Sequence, residues 1–149
     1  MCGFLYINSS IEATEFSLNN ATDRLKMRGP DYHNSIKYNN TYCFHSRLAI
    51  QGITDESNQP YSSSCGRYLL LYNGEIYNTQ YLSEKINYSN IDLKLKGDTP
   101  LLMELLIRYG VDILSEINGM FAFVFWDRFS ETGFASRDQS GIKPLYYLY

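Results

Sequence analysis

The 149-residue sequence has only two histidines and three cysteines, which limits the chemistry open to it. His33 and His45 lie far apart, and no CxxC or HExxH spacing occurs, so no metal site is predicted. Cys2, Cys43 and Cys65 are too few and too irregularly spaced for a disulfide framework. A reducing compartment, most simply the cytoplasm, is therefore expected.

Long apolar runs, an excess of positive charge and glycine-rich phosphate loops are also missing. No apolar run approaches the ~20 residues of a membrane span, and no basic stretch followed by an apolar core marks a secretory signal. The net charge of −3 provides no basic surface for nucleic acid or an anionic membrane. No Walker pattern is present, so these residues are not expected to bind ATP.

The sequence does contain apolar and aromatic runs separated by turn signals, with 14 tyrosines and 8 phenylalanines. Its length and its 44% hydrophobic share are those of one globular domain. The pattern predicts a mixed α and β domain in which strands dominate. Strands are predicted at 3–8, 32–40, 41–50, 67–72, 91–96, 119–127, 133–137 and 144–149. Helices are predicted at 12–27, 78–88 and from a cap at Asp98 or Thr99 to Gly110, and 52–66 is predicted to be a polar loop.

Cys2 directly follows Met1, and this position gains chemical meaning if Met1 is removed. Cys2 would then carry a thiol with a reference pKa of ~8.5 and a free α-amino group with one of ~7.7–8.0. One residue would supply both a nucleophile and a base near neutral pH.

Seven motifs occur in the order, and with the approximate spacing, typical of one family. They are MCG at 1–3, RGPD at 28–31, HSRLAI at 45–50, NGEIYN at 73–78, GDT at 97–99, NGMFAF at 118–123 and RDQSGIKPLYY at 137–147. Over nearly its whole length the sequence resembles the class II glutamine amidotransferase domain of asparagine-synthetase-like enzymes. The resemblance implies an α+β fold, the N-terminal-nucleophile hydrolase αββα sandwich of two antiparallel sheets.

The resemblance also implies a reaction, the hydrolysis of the side-chain amide of free L-glutamine through a thioester on Cys2. Asn73 and Gly74 match the oxyanion hole of the family. Arg47 matches the residue that binds the α-carboxylate, and Asp98 matches the ligand of the α-ammonium group. The remaining pocket positions implied by the family are Leu48, Ala49, Ile50, Gln51 and Glu75.

Each of these assignments has a simpler alternative. Cys2 can be an incidental second residue. Asn73-Gly74 between apolar runs can form a type I′ hairpin turn. Arg47 can be a surface arginine on a strand edge, and Asp98 a plain helix cap.

Family members continue beyond the last motif with further strands and an ATP-dependent synthetase domain. Residues 1–149 are therefore expected to be a glutaminase domain that lacks its final strands. The ammonia it releases would pass to a synthetase domain in cis or in trans. No cofactor is expected in this chain, Mg-ATP is expected for the missing domain, and a homodimer is left open.

Three other functions compete with this interpretation. The chain can be an inactive homologue that serves as a binding or regulatory module. It can be an N-terminal-nucleophile amidase for another amide, although Arg47 with Asp98 suits a free amino acid. It can also serve a synthetase whose acceptor is not aspartate, such as a sugar acid.

Overall fold

The computed structural model of the chain describes residues 2–9, 15–50, 55–88 and 97–148. Its strands are β1 (Gly3–Asn8), β2 (Tyr32–Tyr38), β3 (Thr41–Arg47), β4 (Tyr61–Ser62), β5 (Tyr68–Ile76), β6 (Gly119–Asp127) and β7 (Thr132–Arg137). Its α-helices are α1 (Glu15–Lys26), α2 (Thr79–Lys85) and α3 (Asp98–Tyr109). Short 3-10 segments occupy Asp55–Ser57 and Gly110–Ser115.

The strands form two antiparallel sheets. One has three strands in the order β1-β3-β2, and the other has four in the order β4-β5-β6-β7. The predicted α+β fold with two antiparallel sheets is therefore confirmed. The long β5–β6 pairing, from Tyr68 opposite Asp127 to Ile76 opposite Gly119, is the frame on which the site is built.

Alternating side chains of β5 face two different hydrophobic clusters, as the two-residue period of a strand requires. Leu69 and Leu71 pack with Trp126 and with side chains of the three-stranded sheet, which joins the two sheets. Leu70 and Tyr72 face the other way, where leucines of α2 and α3 cover the four-stranded sheet. Helix α1 packs on β1 and β3, so the layers run helix, sheet, sheet, helices.

The Asn73-Gly74 pair lies inside β5 and does not form a turn. The hairpin alternative is wrong, because β5 continues to Ile76 and pairs with β6 along its whole length. Glycine is required at position 74, since an added Cβ would lie 2.4 Å from the carbonyl oxygen of Met120. The glycine of Asn73-Gly74 is therefore needed for the close approach of β5 and β6, and not for a turn.

The predicted strand at 144–149 is wrong where the structure describes it. Residues 144–148 form no strand, and Tyr146 and Leu148 are 91% and 97% exposed. Pro144 lacks an N–H for strand pairing, and no described strand pairs with this segment. Aromatic composition alone suggested a strand, but a strand needs a neighbour.

Other boundaries shift modestly. The strand predicted at 41–50 ends at Arg47, and the helix predicted at 78–88 spans Thr79–Lys85. The loop predicted at 52–66 contains the 3-10 turn and β4. The strand predicted at 91–96, the first residues of the helix predicted at 12–27, Met1 and Tyr149 lie outside the described residues.

Every helix in the described part of the chain is too short or too polar to cross a membrane.

Candidate active site

Cys2 lies directly before β1, beside the end of β3, because Gly3 pairs with Ser46. The backbone N–H of Leu48 points at Cys2 Sγ from 3.4 Å, and the sulfur lies 3.8 Å from the Leu48 carbonyl oxygen. Arg28 Nε donates to the Cys2 carbonyl at 3.2 Å. The thiol is therefore fixed between the first strand and the segment that follows β3, with a donor aimed at the sulfur.

The RGPD motif forms the support beneath this segment. Gly29 runs so close to β3 that a Cβ there would lie 2.5 Å from the backbone of Ser46 and Arg47. Asp31 donates its N–H to the Arg47 carbonyl at 3.1 Å, and its Oδ2 accepts from the Ala49 N–H at 2.7 Å. The motif therefore sets the path of the chain after Arg47.

The edge of β5 that faces away from β6 pairs with no described strand beyond Leu70, since β4 pairs only with Leu69 and Leu70. We call this part of β5 the open edge. Opposite Gly74, Phe121 directs its N–H and its C=O to Asp138 rather than to β5. In an antiparallel pair this makes Gly74–Phe121 a non-hydrogen-bonded pair, so the Gly74 N–H points to the open edge.

Side chains take up the neighbouring N–H groups on this open edge. The N–H of Tyr72 donates to Gln59 Oε1 at 2.6 Å, and that of Ile76 donates to Asp98 Oδ2 at 3.0 Å. The Gly74 N–H lies between these two and bonds to no residue that the structure describes. The Gly74 N–H is thus a backbone donor at the pocket edge. Its position is fixed because the N–H groups on both sides of it, those of Tyr72 and Ile76, are hydrogen-bonded to side chains.

Asp98 is the first residue of α3, and it faces β5. Its Oδ2 accepts from the Tyr72 hydroxyl at 2.6 Å as well as from the Ile76 N–H. Burial raises the pKa of this carboxyl, and the two hydrogen bonds oppose the rise. The helix cap is Gly97 and not the Asp98 or Thr99 side chain, so the cap prediction was wrong.

Arg47 ends β3 and is only 6% exposed, which excludes the surface-arginine alternative. Its Nη1 donates to Asn58 Oδ1 at 2.7 Å. Side-chain hydrogen bonds of a planar guanidinium fix the direction in which its other donors point. Arg47 is therefore a buried, oriented cation.

These elements meet at one pocket of about 110 Å³. The predicted site residues that line it are Cys2, Arg47, Leu48, Ile50, Asn73, Gly74, Glu75 and Asp98. Ala49 does not line the pocket, and its N–H is taken by Asp31. Gln51 lies outside the described residues.

Seven further residues line the pocket, and none of them was predicted from the sequence to belong to the site: Ser57, Gln59, Tyr72, Gly97, Thr99, Met120 and Lys143. Tyr72 and Gln59 gave no signal, because their contacts join parts of the chain that are distant in sequence. Lys143, which is 6% exposed, belongs to the GIKPLYY motif. Asp138 holds that motif in place by accepting from the N–H groups of Ile142 and Lys143 at 2.9 and 3.0 Å.

His45 lies behind the pocket and is fully buried. Its Nε2 donates to the Tyr72 carbonyl at 3.1 Å, and its Nδ1 has no partner among the described residues. Burial is the main reason that the pKa of His45 is lowered to about 4. His45 therefore stays neutral at physiological pH and is a structural donor.

The buried His45 makes stability depend on pH. An unfolded histidine binds a proton near pH ~6.5, whereas folded His45 does so only near pH about 4. Between these values the unfolded state binds more protons, so the free energy of unfolding decreases as the pH is lowered, by about 1.4 kcal/mol per pH unit. We expect His45→Gln, which keeps a donor to Tyr72, to show a shallower fall in urea titrations between pH ~6.5 and ~4. Equal slopes for both proteins would contradict this.

Metal ligands do not cluster in the part of the chain that the structure covers: it holds no group of three or more His, Cys, Asp or Glu side chains placed for a metal ion.

The family model of the glutamine amidotransferase domain matches residues 1–149. The chain belongs to this family. Among its relatives, an asparagine synthetase (glutamine-hydrolysing) of Bacillus subtilis is 31% identical over 99% of the chain. A probable asparagine synthetase of Schizosaccharomyces pombe is 34% identical over 98% of the chain, and a putative one of Methanocaldococcus jannaschii is 32% identical over 100% of it. The resemblance to asparagine-synthetase-like amidotransferase domains is thereby confirmed.

This glutamine amidotransferase domain corresponds to only part of each relative. It spans 25% of the Bacillus protein, 26% of the Schizosaccharomyces protein and 32% of the Methanocaldococcus protein. The comparison therefore covers the amidotransferase part of those longer proteins and not their complete activity.

Proposed function

We propose that residues 1–149 form a glutaminase domain that hydrolyses the side-chain amide of free L-glutamine. After removal of Met1, Cys2 Sγ attacks the amide carbon, and the α-amino group of Cys2 takes the thiol proton. The C–N bond of the tetrahedral intermediate breaks, and the α-ammonium group returns the proton to the departing ammonia. Water then cleaves the thioester C–S bond and releases glutamate.

The observation that carries this proposal is the convergence of Cys2, Asn73, Gly74, Arg47 and Asp98 on one pocket. The Gly74 N–H at the open edge of β5 and the Asn73 side-chain amide are suitable donors for an oxyanion. The Asn73 amide makes no hydrogen bond to another described residue, so it is not already committed to the fold. Donors that are held by a strand need no reorganisation during the reaction.

Four charged side chains line the pocket, and two of them, Arg47 and Asp98, suit the two charges of a free amino acid. The guanidinium of Arg47 suits an α-carboxylate, because a planar fork of donors can bind two oxygens. The carboxylate of Asp98 suits an α-ammonium group. The pair supports free glutamine as the substrate, since a glutamine inside a peptide carries neither charge. Leu48, Ile50 and Glu75 also line the proposed pocket. Gln51 stays a predicted pocket residue, and Ala49 supports the segment from outside the pocket.

The ammonia would serve a synthetase domain, in cis or in trans. This part of the proposal is supported by the relatives, which are named as glutamine-hydrolysing asparagine synthetases, and by the fraction of each that the chain spans. In such a partner Mg-ATP would activate the acceptor carboxylate. The proposal places ATP binding in that synthetase domain. Aspartate is the proposed acceptor, and a cytoplasmic location and a homodimer stay predictions.

An inactive binding module is the main alternative to this proposal. It would bind glutamine without releasing ammonia, so a coupled assay for glutamate and ammonia on the purified protein separates the two functions. A different amidase would hydrolyse an amide that lacks the α-ammonium group at least as fast as it hydrolyses glutamine.

Asp98→Asn tests the ammonium subsite directly. The change keeps an oxygen that can accept from Tyr72 and Ile76, and it removes only the charge. A hydrogen bond to a charged group contributes about 1.5–3 kcal/mol, so the KM for glutamine should rise roughly 10- to 100-fold. The rate at saturation should change much less. If the variant instead unfolds at lower urea with an unchanged KM, Asp98 is only structural.

A further inference from the structure

Tyr72 is hydrogen-bonded through every polar group that it has. Its N–H donates to Gln59 Oε1, and its C=O accepts from Gln59 Nε2 and His45 Nε2, both at 3.1 Å. Its hydroxyl donates to Asp98 Oδ2 at 2.6 Å. Tyr72 thus joins β5, directly before the proposed oxyanion donors, to the start of α3.

Both hydrogen bonds that β5 makes to the Asp98 side chain fall on the same oxygen, Oδ2. The other oxygen, Oδ1, receives no hydrogen bond from another residue in the described ranges. A carboxylate fixed through one oxygen cannot rotate without breaking both bonds. Because Asp98 lines the pocket, the arrangement leaves Oδ1 for a ligand.

We propose that Tyr72 is a positioning residue: its hydroxyl holds the Asp98 carboxylate so that Oδ1 receives the α-ammonium group of a free amino acid. The inference rests on the proposed function, because glutamine is the amino acid that the site would take. In this proposal two side chains together recognise the α-amino group of the substrate. Asp98 contacts the substrate, and Tyr72 holds Asp98 in place.

The charges around Asp98 make the hydroxyl of Tyr72 important. Asp98 shares the pocket with the charged or titratable side chains of Glu75, Arg47, Lys143 and Cys2. Burial raises the pKa of Asp98, the nearby Glu75 adds to the rise, and the Tyr72 hydrogen bond lowers it. Burial, aided by the charge of Asp98, raises the pKa of Tyr72 well above its usual value, so the hydroxyl stays protonated and donates. Without it, a larger share of Asp98 would be protonated and unable to bind an ammonium group.

Tyr72→Phe tests this with Tyr68→Phe as its matched control. Tyr68 lies on the same strand and the same face, but its ring stacks on Phe125 and does not line the pocket. We expect Tyr72→Phe to raise the KM for glutamine ~10-fold, the lower end for a hydrogen bond to a charged group, with kcat within ~2-fold. The acid limb of kcat/KM should shift to higher pH. Tyr68→Phe should change neither quantity.

Two binding and titration measurements complete the test. In a Cys2→Ala background, calorimetry should show that Tyr72→Phe weakens glutamine but not 5-amino-5-oxopentanoate, which lacks the α-amino group. Carbon-13 NMR should show a higher pKa for the Asp98 carboxyl in Tyr72→Phe than in wild type. Equal loss of both ligands, or an unchanged KM with an unchanged Asp98 pKa, would overturn the inference.

The NMR titration also separates this inference from the proposed function. If the wild-type protein does not hydrolyse glutamine, the proposed function fails. In that case the titration still tests whether the Tyr72 hydroxyl acts on the Asp98 carboxyl. A raised Asp98 pKa in Tyr72→Phe supports the positioning role, and an unchanged pKa contradicts it.

Discussion

Glutamine hydrolysis is expected to disappear in Cys2→Ala, with a loss of roughly 10⁴-fold or more, as when a catalytic nucleophile is removed from other hydrolases. The physical reason is that no other thiol lies in the pocket. Cys43 is buried, and burial raises its pKa to about 12, while Cys65 lies outside the pocket. A coupled glutamate assay measures the effect.

The control for Cys2→Ala is Cys65→Ala, which should retain full activity because its side chain is exposed and away from the site. The free energy of unfolding of Cys2→Ala should stay within ~1 kcal/mol of the wild type, since the change removes only the sulfur contacts with Leu48. Turnover in Cys2→Ala equal to that of the wild type would contradict the mechanism.

The second large effect is expected from Asn73→Ala. If the Asn73 amide donates to the oxyanion, its loss removes about 2.7–4 kcal/mol of transition-state stabilisation, or ~10²–10³ in kcat. The donor acts on charge that develops only during the reaction, so the KM should change little. Steady-state kinetics separates the two parameters.

Asn34→Ala is the matched control for Asn73→Ala, because Asn34 is exposed on β2, does not line the pocket, and uses its side-chain oxygen to accept from the N–H of Ser35. Asn73 is buried, so urea unfolding must show that the variant is folded at the assay temperature. A raised KM with an unchanged kcat would mean that Asn73 binds the ground state and is not part of an oxyanion hole.

The sequence was informative where a local pattern is enough. Apolar and aromatic runs located most strands, and Gly110 marked the end of α3. The motifs also selected the residues that meet at the pocket, although Cys2 and Asp98 are far apart in the chain. A motif can carry this information because it fixes a piece of backbone next to the site, as RGPD does for the chain after Arg47.

The sequence failed where the outcome depends on tertiary neighbours. Asn73-Gly74 is as suitable for a turn as for a strand, and only the pairing with β6 decides between them. The aromatic segment 144–148 has strand composition but pairs with no described strand. The roles of Gln59 and Tyr72 come from hydrogen bonds across the open edge of β5, which no local pattern predicts.

The most direct test of the central claim is the intact mass of the protein before and after incubation with a diazo-ketone analogue of glutamine. Cys65 is exposed, and its hydrogen bond with Ser63 contributes most to a lowered pKa, so the test is best made in Cys65→Ser to remove a competing thiol. We predict loss of Met1 and a single adduct that maps to Cys2 and is prevented by excess glutamine. Retained Met1, or no adduct on a free Cys2, would contradict the account.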